Sequence, residues 1–147
     1  MRYTTFGRTG LTVSTLGLGD ANIGGAYGPV VDEPEALRTV QAAVDLGITF
    51  IDTAPLYGMG LNEQRIGRAL AECRGRDKVI LATKVGYLPA GLGYDRATTV
   101  AAVEASLARL QTDYVDLIQI HVADRVPLAR AGLAAESRLV PDMMGRG

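Results

Sequence analysis

Residues 48–61, ITFIDTAPLYGMGL, contain the pattern that decides the fold of this chain. ITFID is typical of a short buried strand, and the loop TAPLYGMGL, with its proline and glycines, separates it from a helical pattern. The same order recurs downstream, where VILATK (79–84) and YVDLIQIH (114–121) are each typical of a strand. Apolar strands that alternate with helices predict a parallel sheet covered by helices.

The start of the chain predicts a β-hairpin and a first strand. RYTTF (2–6) and LTVSTL (11–16) alternate as strands do, and GRTG supplies the turn between them. STLGLG (14–19) is then expected to be a buried strand that ends in glycines.

Three amphipathic helices are predicted between the strands. Asp32 is placed to cap the first helix, Gly47 to end it, and Asn62 to cap the second. The glycine-rich segment GYLPAGLGYD (86–95) is expected to be a loop that leads to the third helix. The apolar faces of the three helices consist of Leu37, Val40 and Val44; of Ile66, Ala69, Leu70 and Cys73; and of Val100, Val103, Leu107 and Leu110.

The strand order suits either a (β/α)8 barrel or an open doubly wound sheet, because right-handed crossovers place successive strands side by side. A barrel is favoured because polar residues cluster at the ends of the strands, where such barrels build their sites. A whole barrel needs about 250 residues, whereas this chain has 147. We therefore predict about four βα units of a (β/α)8 TIM barrel, preceded by a β-hairpin.

Two regions are predicted from where this pattern ends. Residues 1–124 form the half-barrel domain, and residues 125–147 form a divergent tail. Within the tail, PLARAGLAAESRLV (127–140) could form one helix.

The composition excludes several classes of function. A net charge of −1 and scattered basic residues offer no field for nucleic acid or an acidic membrane surface. No apolar run is long enough to cross a membrane, and no zinc-ligand spacing occurs. The single cysteine, Cys73, cannot form an internal disulfide, which favours a reducing compartment and a cytoplasmic location.

Four polar residues stand at or just past the ends of predicted strands: Asp52, Tyr57, Lys84 and His121. A phenol has a pKa near 10, and an adjacent ammonium favours its ionised form. Lys84 can supply that ammonium, and Asp52 can keep it charged and oriented. His121 can donate a hydrogen bond to a carbonyl oxygen. The set is suited to moving a proton onto a carbonyl while a cofactor delivers hydride.

Strand parity predicts that three of these side chains share one opening. Each residue alone is more commonly structural or solvated, and it is their joint placement that favours a site. Lys84 shares parity with Ile80 and Ala82, Asp52 with Ile48 and Phe50, and His121 with Val115, Leu117 and Gln119.

At these residues the chain resembles the aldo-keto reductase superfamily, most closely the branch of D-threo-aldose (L-fucose) dehydrogenases. The matching stretches fall within residues 3–124 and are GRTGLTVSTLGLG, DLGITFIDTAPLYG, GLNEQRIGRAL, LATKVG and SLARLQTDYVDLIQIH. The resemblance implies the N-terminal half of a (β/α)8 TIM barrel whose bottom is closed by the hairpin. It also implies NADP or NAD as cofactor, and a small carbonyl or sugar substrate.

The same resemblance implies a role for each residue of the site. Asp52, Tyr57, Lys84 and His121 would form the catalytic tetrad, with Tyr57 as the proton donor in reduction and the acceptor in oxidation. Gly19, Asp20 and Asp52 would contact the cofactor, and no metal is implied. Asp20 departs from the family's usual small residue or threonine, so its carboxylate is expected to weaken the binding of a phosphate-bearing cofactor.

Family members continue through four further strands that carry most of the cofactor contacts, so this chain alone is expected to be incomplete as an enzyme. Four readings therefore remain open. The chain is an oxidoreductase, a truncated non-catalytic remnant, a half-barrel that is active after assembly with a second half, or a binding module without chemistry. The open sheet edges of a half-barrel predict self-association.

Overall fold

The computed structural model describes residues 1–88 and 91–121, which contain a four-stranded parallel sheet and two small antiparallel ladders. The strands are β1 (Tyr3–Thr5), β2 (Thr12–Ser14), β3 (Leu18–Gly19), β4 (Phe50–Asp52), β5 (Ile80–Val85), β6 (Tyr87–Leu88), β7 (Gly91–Leu92) and β8 (Leu117–Ile120). The α-helices are α1 (Glu33–Asp45), α2 (Leu61–Glu72) and α3 (Arg96–Leu110).

The predicted hairpin is confirmed, since β1 pairs with β2 in antiparallel register. It is attached to the start of β4 by a reciprocal pair of hydrogen bonds. The backbone N–H of Ser14 donates to Thr49 Oγ1 at 2.7 Å, and the backbone N–H of Thr49 donates to Ser14 Oγ at 2.9 Å. Phe6 stacks on Phe50 with ring centroids 5.3 Å apart. The hairpin therefore lies at the end of the sheet opposite to the strand tips.

The parallel sheet has the order β3-β4-β5-β8, so each strand lies beside the next one along the chain, as predicted. The register pairs Asp52 with Ala82 and Lys84 with Gln119. Because paired residues of adjacent strands point to the same face, Asp52, Lys84 and Gln119 project from one face near the strand tips.

The opposite face of the sheet packs against the helices and forms the hydrophobic core. Ile51 of β4 and Leu81 of β5 are fully buried there. Helices α1 and α2 contribute side chains that the helical periodicity predicted, namely Leu37, Val40, Val44, Ile66, Ala69 and Leu70. Along each short strand, residues that point to the helices alternate with residues that point to the opposite face. The hydrophobic core and the polar cluster therefore lie on opposite faces of the sheet.

A buried charged cluster joins two helices to the sheet. Glu63 of α2 is 0% exposed and accepts hydrogen bonds from Thr83 Oγ1 and from Arg109 Nε, each at 2.6 Å. Thr83 belongs to β5 and Arg109 to α3. The carboxylate, which is itself shielded from water, therefore connects three elements with charge-assisted bonds.

The helix starts confirm one predicted cap and contradict another. Asp32 caps α1, and its side chain accepts a hydrogen bond from the backbone N–H of Glu35 at 2.8 Å. The prediction that Asn62 caps α2 is wrong, because Gly60 occupies the cap position and Asn62 lies inside the helix. The Asn62 side chain is fully buried and donates instead to Asp20 and Thr53.

Two further segments differ from the expectation. The strand predicted over residues 14–19 is confined to β3, because Ser14 belongs to the hairpin. The segment 86–95, predicted as a loop, contains the short ladder between β6 and β7. The helix suggested for residues 127–140 lies outside the described residues.

Within the described ranges, no helix combines the length and the apolar character required to cross a membrane.

Candidate active site

An ion pair between Asp52 and Lys84 forms the centre of the site. Asp52 ends β4, and Lys84 lies near the end of the neighbouring strand β5. The Lys84 ammonium is 2.9 Å from both carboxylate oxygens of Asp52, and it also donates to the backbone carbonyl of Thr53 at 2.9 Å. All three acceptors lie at the end of β4, and together they fix the position of the ammonium charge.

Tyr57 and His121 lie beside this ion pair. The Lys84 ammonium is 5.0 Å from the centroid of the Tyr57 ring. The Tyr57 and His121 rings meet edge to face, with centroids 5.9 Å apart. The structure therefore brings all four residues of the predicted tetrad to one end of the sheet. Val115, used with Leu117 to infer the direction of His121, instead belongs to the buried core and is no guide to that direction.

Gln119 is a member of this cluster that the sequence reasoning did not single out. Its side-chain amide donates to Asp52 Oδ1 at 2.6 Å, so Asp52 is held by side chains from β5 and from β8, the strand beyond it. The signal was a polar residue inside the otherwise apolar strand LIQI, at the same parity as His121. The contribution of Thr53 could not be found in the same way, because it comes from a backbone carbonyl.

The backbone of His121 is held from two sides. Its N–H donates to the carbonyl of Val85 at 2.9 Å, which continues the pairing of β5 and β8. Its carbonyl accepts a hydrogen bond from the Tyr94 hydroxyl at 2.7 Å. The Tyr87 ring is 6.2 Å from the imidazole. The segment after β5 therefore contacts His121 through both of its tyrosines.

The first prediction concerns Gly86, which has φ = +100° and faces the Tyr94 ring so closely that a Cβ there would overlap it. Gly86→Ala should displace Tyr94 from the His121 carbonyl and cost about 1–3 kcal/mol of unfolding free energy, measured by urea denaturation. Gly28→Ala is the matched control, because no atom lies within 4 Å of its built Cβ. Equal effects of the two substitutions would contradict this role of Gly86.

The second prediction concerns the protonation of His121. Burial lowers the pKa of His121 below its ordinary value of 6.5, the charge of Lys84 lowers it further, and Asp52 opposes both. Between the two pKa values the unfolded chain binds a proton that the folded chain does not. The free energy of unfolding should therefore decrease as the pH falls below about 6.5.

His121 is the only histidine in the chain, so NMR titration of one imidazole measures the folded pKa directly. His121→Gln is the control, since it should remove this component of the pH dependence. A folded pKa at or above 6.5 would contradict the burial of the ring.

Gly19 and Asp20, predicted to contact a cofactor, lie at the tip of β3 in different environments. Gly19 is exposed, and nothing lies within 4 Å of a Cβ built on it, which leaves room for a group over the strand tip. Asp20 is only 1% exposed, and its carboxyl group faces Asn62. Asp20 can therefore touch a bound molecule only if the residues around it move.

A cavity of about 790 Å³ opens beside the tetrad rather than over it. It lies between the loop after β4 and helix α3, and its lining is mainly apolar. Lys84 and Tyr87 border it, whereas Asp52, Tyr57 and His121 do not. Because three of the four tetrad residues are absent from its lining, we take the open end of the sheet, and not this cavity, as the candidate site.

An acid, an ammonium, a phenol and an imidazole lie together at the tips of parallel strands, and groups of these types can exchange protons with a bound molecule. Residues 15–128 match the sequence model of the aldo/keto reductase family. The chain therefore belongs to the aldo/keto reductase family, which confirms the resemblance noted in its sequence.

Two curated relatives illustrate the match. The aldo-keto reductase YhdN of Bacillus subtilis is 46% identical over 128 residues, which are 84% of this chain and 39% of that protein. The L-galactose dehydrogenase of Arabidopsis thaliana is 40% identical over 116 residues, which are 78% of this chain and 36% of that protein. This chain thus spans about two fifths of the length of these relatives.

Solved structures show the same relationship. The holo form of an aldo-keto reductase from Bacillus halodurans superposes with a TM-score of 0.77 at 38% identity, over 97% of this chain and 47% of that one. An aldo-keto reductase from Klebsiella pneumoniae, in complex with NADPH, gives a TM-score of 0.71 at 33% identity, over 90% of this chain and 43% of that one. The predicted fold class, a partial α/β barrel, is confirmed.

Proposed function

We propose that this chain supplies the proton-transfer residues of an oxidoreductase that exchanges hydride between NAD(P)(H) and an aldose, an aldehyde or a related carbonyl or alcohol. The observation that carries the proposal is the position of the Lys84 ammonium. It is held by both oxygens of Asp52 and lies 5.0 Å from the Tyr57 ring, which meets His121 edge to face.

Each of the four side chains has a distinct task in this proposal. The Tyr57 hydroxyl gives its proton to the carbonyl oxygen in reduction and takes it back in oxidation. The Lys84 charge stabilises the phenolate that remains after the proton has left. Asp52 pairs with Lys84 and orients its ammonium. His121 is neutral at neutral pH, because its pKa is lowered by burial, so one ring N–H can donate to the substrate oxygen.

A nicotinamide cofactor, when bound, supplies or accepts the hydride. The residues present fit the reactive end of such a cofactor, because the exposed tip at Gly19 leaves open space beside the Asp52–Lys84 pair. Gly19 and Asp52 are the residues that would contact it, with Asp20 behind them. The holo form from Bacillus halodurans and the NADPH complex from Klebsiella pneumoniae support NADP as the cofactor, with NAD as the alternative.

The substrate is a small carbonyl compound or sugar, in keeping with the relative that is an L-galactose dehydrogenase. A cytoplasmic location is part of the proposal, because Cys73 is the only cysteine and cannot form an internal disulfide.

A chimera tests the proposal independently of the length of this chain. Residues 1–121 would replace the matching segment of the Bacillus subtilis relative YhdN, which supplies the rest of the barrel. We expect the chimera to oxidise NADPH in the presence of aldehydes or aldoses, and Lys84→Met to abolish this activity. A folded chimera that binds NADPH without turnover would favour the non-catalytic remnant or the binding module.

A second candidate function is a half-barrel that acts after assembly. In the described part of the chain, β3 and β8 are the outer strands of the parallel sheet. The apolar side chains of Phe50, Ile80 and Leu117 on the face opposite the helices are only half-buried. A second copy, or a separate second half, would cover this surface. Sedimentation of the purified chain should then show a dimer, and a monomer at all concentrations would contradict self-closure.

A further inference from the structure

Asp20 is a buried carboxyl group that the proposed reaction does not use. It follows β3 and is 1% exposed. Its Oδ1 accepts a hydrogen bond from the Asn62 amide at 2.5 Å, whereas its Oδ2 is buried and has no hydrogen-bond partner among residues 1–88 and 91–121. The Oδ1 atom of Asn62, also buried, lacks a donor in the same described residues.

The surroundings of Asp20 disfavour its ionised form. A buried carboxylate is costly unless a cation or several donors compensate it. One amide donor reaches Asp20, and the charged groups that face it from the neighbouring strands are Asp52 and Lys84. Asp52 carries the same sign, and it already holds the Lys84 ammonium with both of its oxygens.

Burial accordingly raises the pKa of Asp20 well above the ordinary value of 3.8, and Asp52 adds to this increase. The hydrogen bond from Asn62, the charge of Lys84 and the proximity of the Thr53 hydroxyl oppose it without cancelling it. A proton on the carboxyl group removes the buried charge that its single amide donor does not compensate.

Asn62 connects this carboxyl group to the ion pair of the active site. Its amide, besides its bond to Asp20, donates to Thr53 Oγ1 at 3.1 Å. The backbone carbonyl of Thr53 is one of the three acceptors of the Lys84 ammonium, at 2.9 Å. A continuous path of buried polar groups thus runs from Asp20 to the charge beside Tyr57.

We propose that Asp20 is a positioning residue that remains a protonated, uncharged acid and, through Asn62 and Thr53, fixes the carbonyl that orients Lys84. The inference rests on the proposed function, since the orientation of Lys84 matters there because of Tyr57. Neutrality is the essential property, because a second carboxylate next to Asp52 would compete with it for the ammonium. Asparagine is neutral and has nearly the same shape as a protonated aspartate, so Asp20→Asn should preserve the orientation of Lys84. Asp20→Ala should not preserve it.

The protonation state is tested first, with a readout that does not depend on turnover. Infrared difference spectra of wild type minus Asp20→Asn should show the carbonyl stretch of a protonated carboxylic acid at neutral pH. Asp20→Asn should also be at least as stable as wild type at pH 7. This advantage should shrink as the pH falls to about 4. The raised pKa of Asp20 destabilises the folded wild type only at pH values above the pKa of Asp20 in the unfolded chain. Absence of the band, or a loss of stability on Asp20→Asn that is largest at pH 7, would overturn the proposal.

The positioning role is tested at His121, which the structure does not show in contact with Asp20. Lys84 lowers the pKa of His121, so a displaced ammonium should raise it. We expect Asp20→Ala and Thr53→Val to shift the NMR titration of His121 upward, and Asp20→Asn to leave it in place. If Asp20 had only a local structural role, Asp20→Ala would destabilise the chain and leave the titration of His121 unchanged. That result would overturn the inference. Both tests remain valid if the chain has no reductase activity, so their failure is distinct from failure of the proposed function.

Discussion

Replacement of Glu63 by alanine should lower the free energy of unfolding by about 3 kcal/mol. The substitution removes the buried carboxylate that accepts hydrogen bonds from Thr83 and Arg109, and it leaves both donors without their partner. Breaking a buried charge pair costs about 3–5 kcal/mol, and the lower end applies because the Arg109 side chain is 25% exposed and can be hydrated. Urea denaturation at neutral pH measures the change.

Glu72→Ala is the matched control on the same helix. Glu72 pairs with Arg68 at 2.8 Å, but both side chains are about half exposed, so the expected cost is at most about 1 kcal/mol. Equal losses from the two substitutions would show that Glu63 does not stabilise the contact between α2, β5 and α3.

Tyr57→Phe should lower kcat of the chimera with YhdN by about 10²–10⁴, because a positioned general acid or base contributes that much to a proton transfer. The substitution removes one oxygen and retains the ring that lies beside Lys84 and His121. The affinity for NADPH should stay within a factor of about two, because the hydroxyl acts on the substrate. Steady-state kinetics and fluorescence titration of NADPH measure the two quantities.

Tyr27→Phe serves as the control, because Tyr27 is 82% exposed and should leave kcat unchanged. If Tyr57→Phe retains wild-type kcat, the phenol is not the proton donor, and water or His121 must take that role.

The order of the elements was readable from the sequence because each signal is local. The alternation of apolar runs with helical periodicity predicted the parallel strands and their order, and Asp32 marked the start of α1. The predicted role of Asn62 as a helix cap was wrong, because a polar residue at the start of an apolar periodic segment can be either a cap or a buried residue of the helix. Its partners, Asp20 and Thr53, are 42 and 9 residues away, and local pattern cannot show such pairing.

The site was predictable to the extent that it depends on parity and strand ends. Asp52 ends β4, and Lys84 lies near the end of the neighbouring strand β5 at the same parity as Ala82, the register partner of Asp52, so parity and sheet order together place both side chains on one face. The carbonyl of Thr53 and the bond between Tyr94 and His121 depend on the exact path of loops, which residue types do not determine. The burial of Asp20 could not be predicted either, because its side-chain partner, Asn62 of α2, is 42 residues away.

Transfer of deuterium from NADPH that carries deuterium at both C4 positions of the nicotinamide tests the central claim most directly. The chimera that contains residues 1–121 would be incubated with labelled cofactor and an aldehyde, and the alcohol analysed by mass spectrometry. We expect deuterium on the former carbonyl carbon, with at least about 100-fold less product from Tyr57→Phe. Unlabelled alcohol, or no alcohol from a folded chimera that binds the cofactor, would contradict the assignment of these four residues to carbonyl reduction.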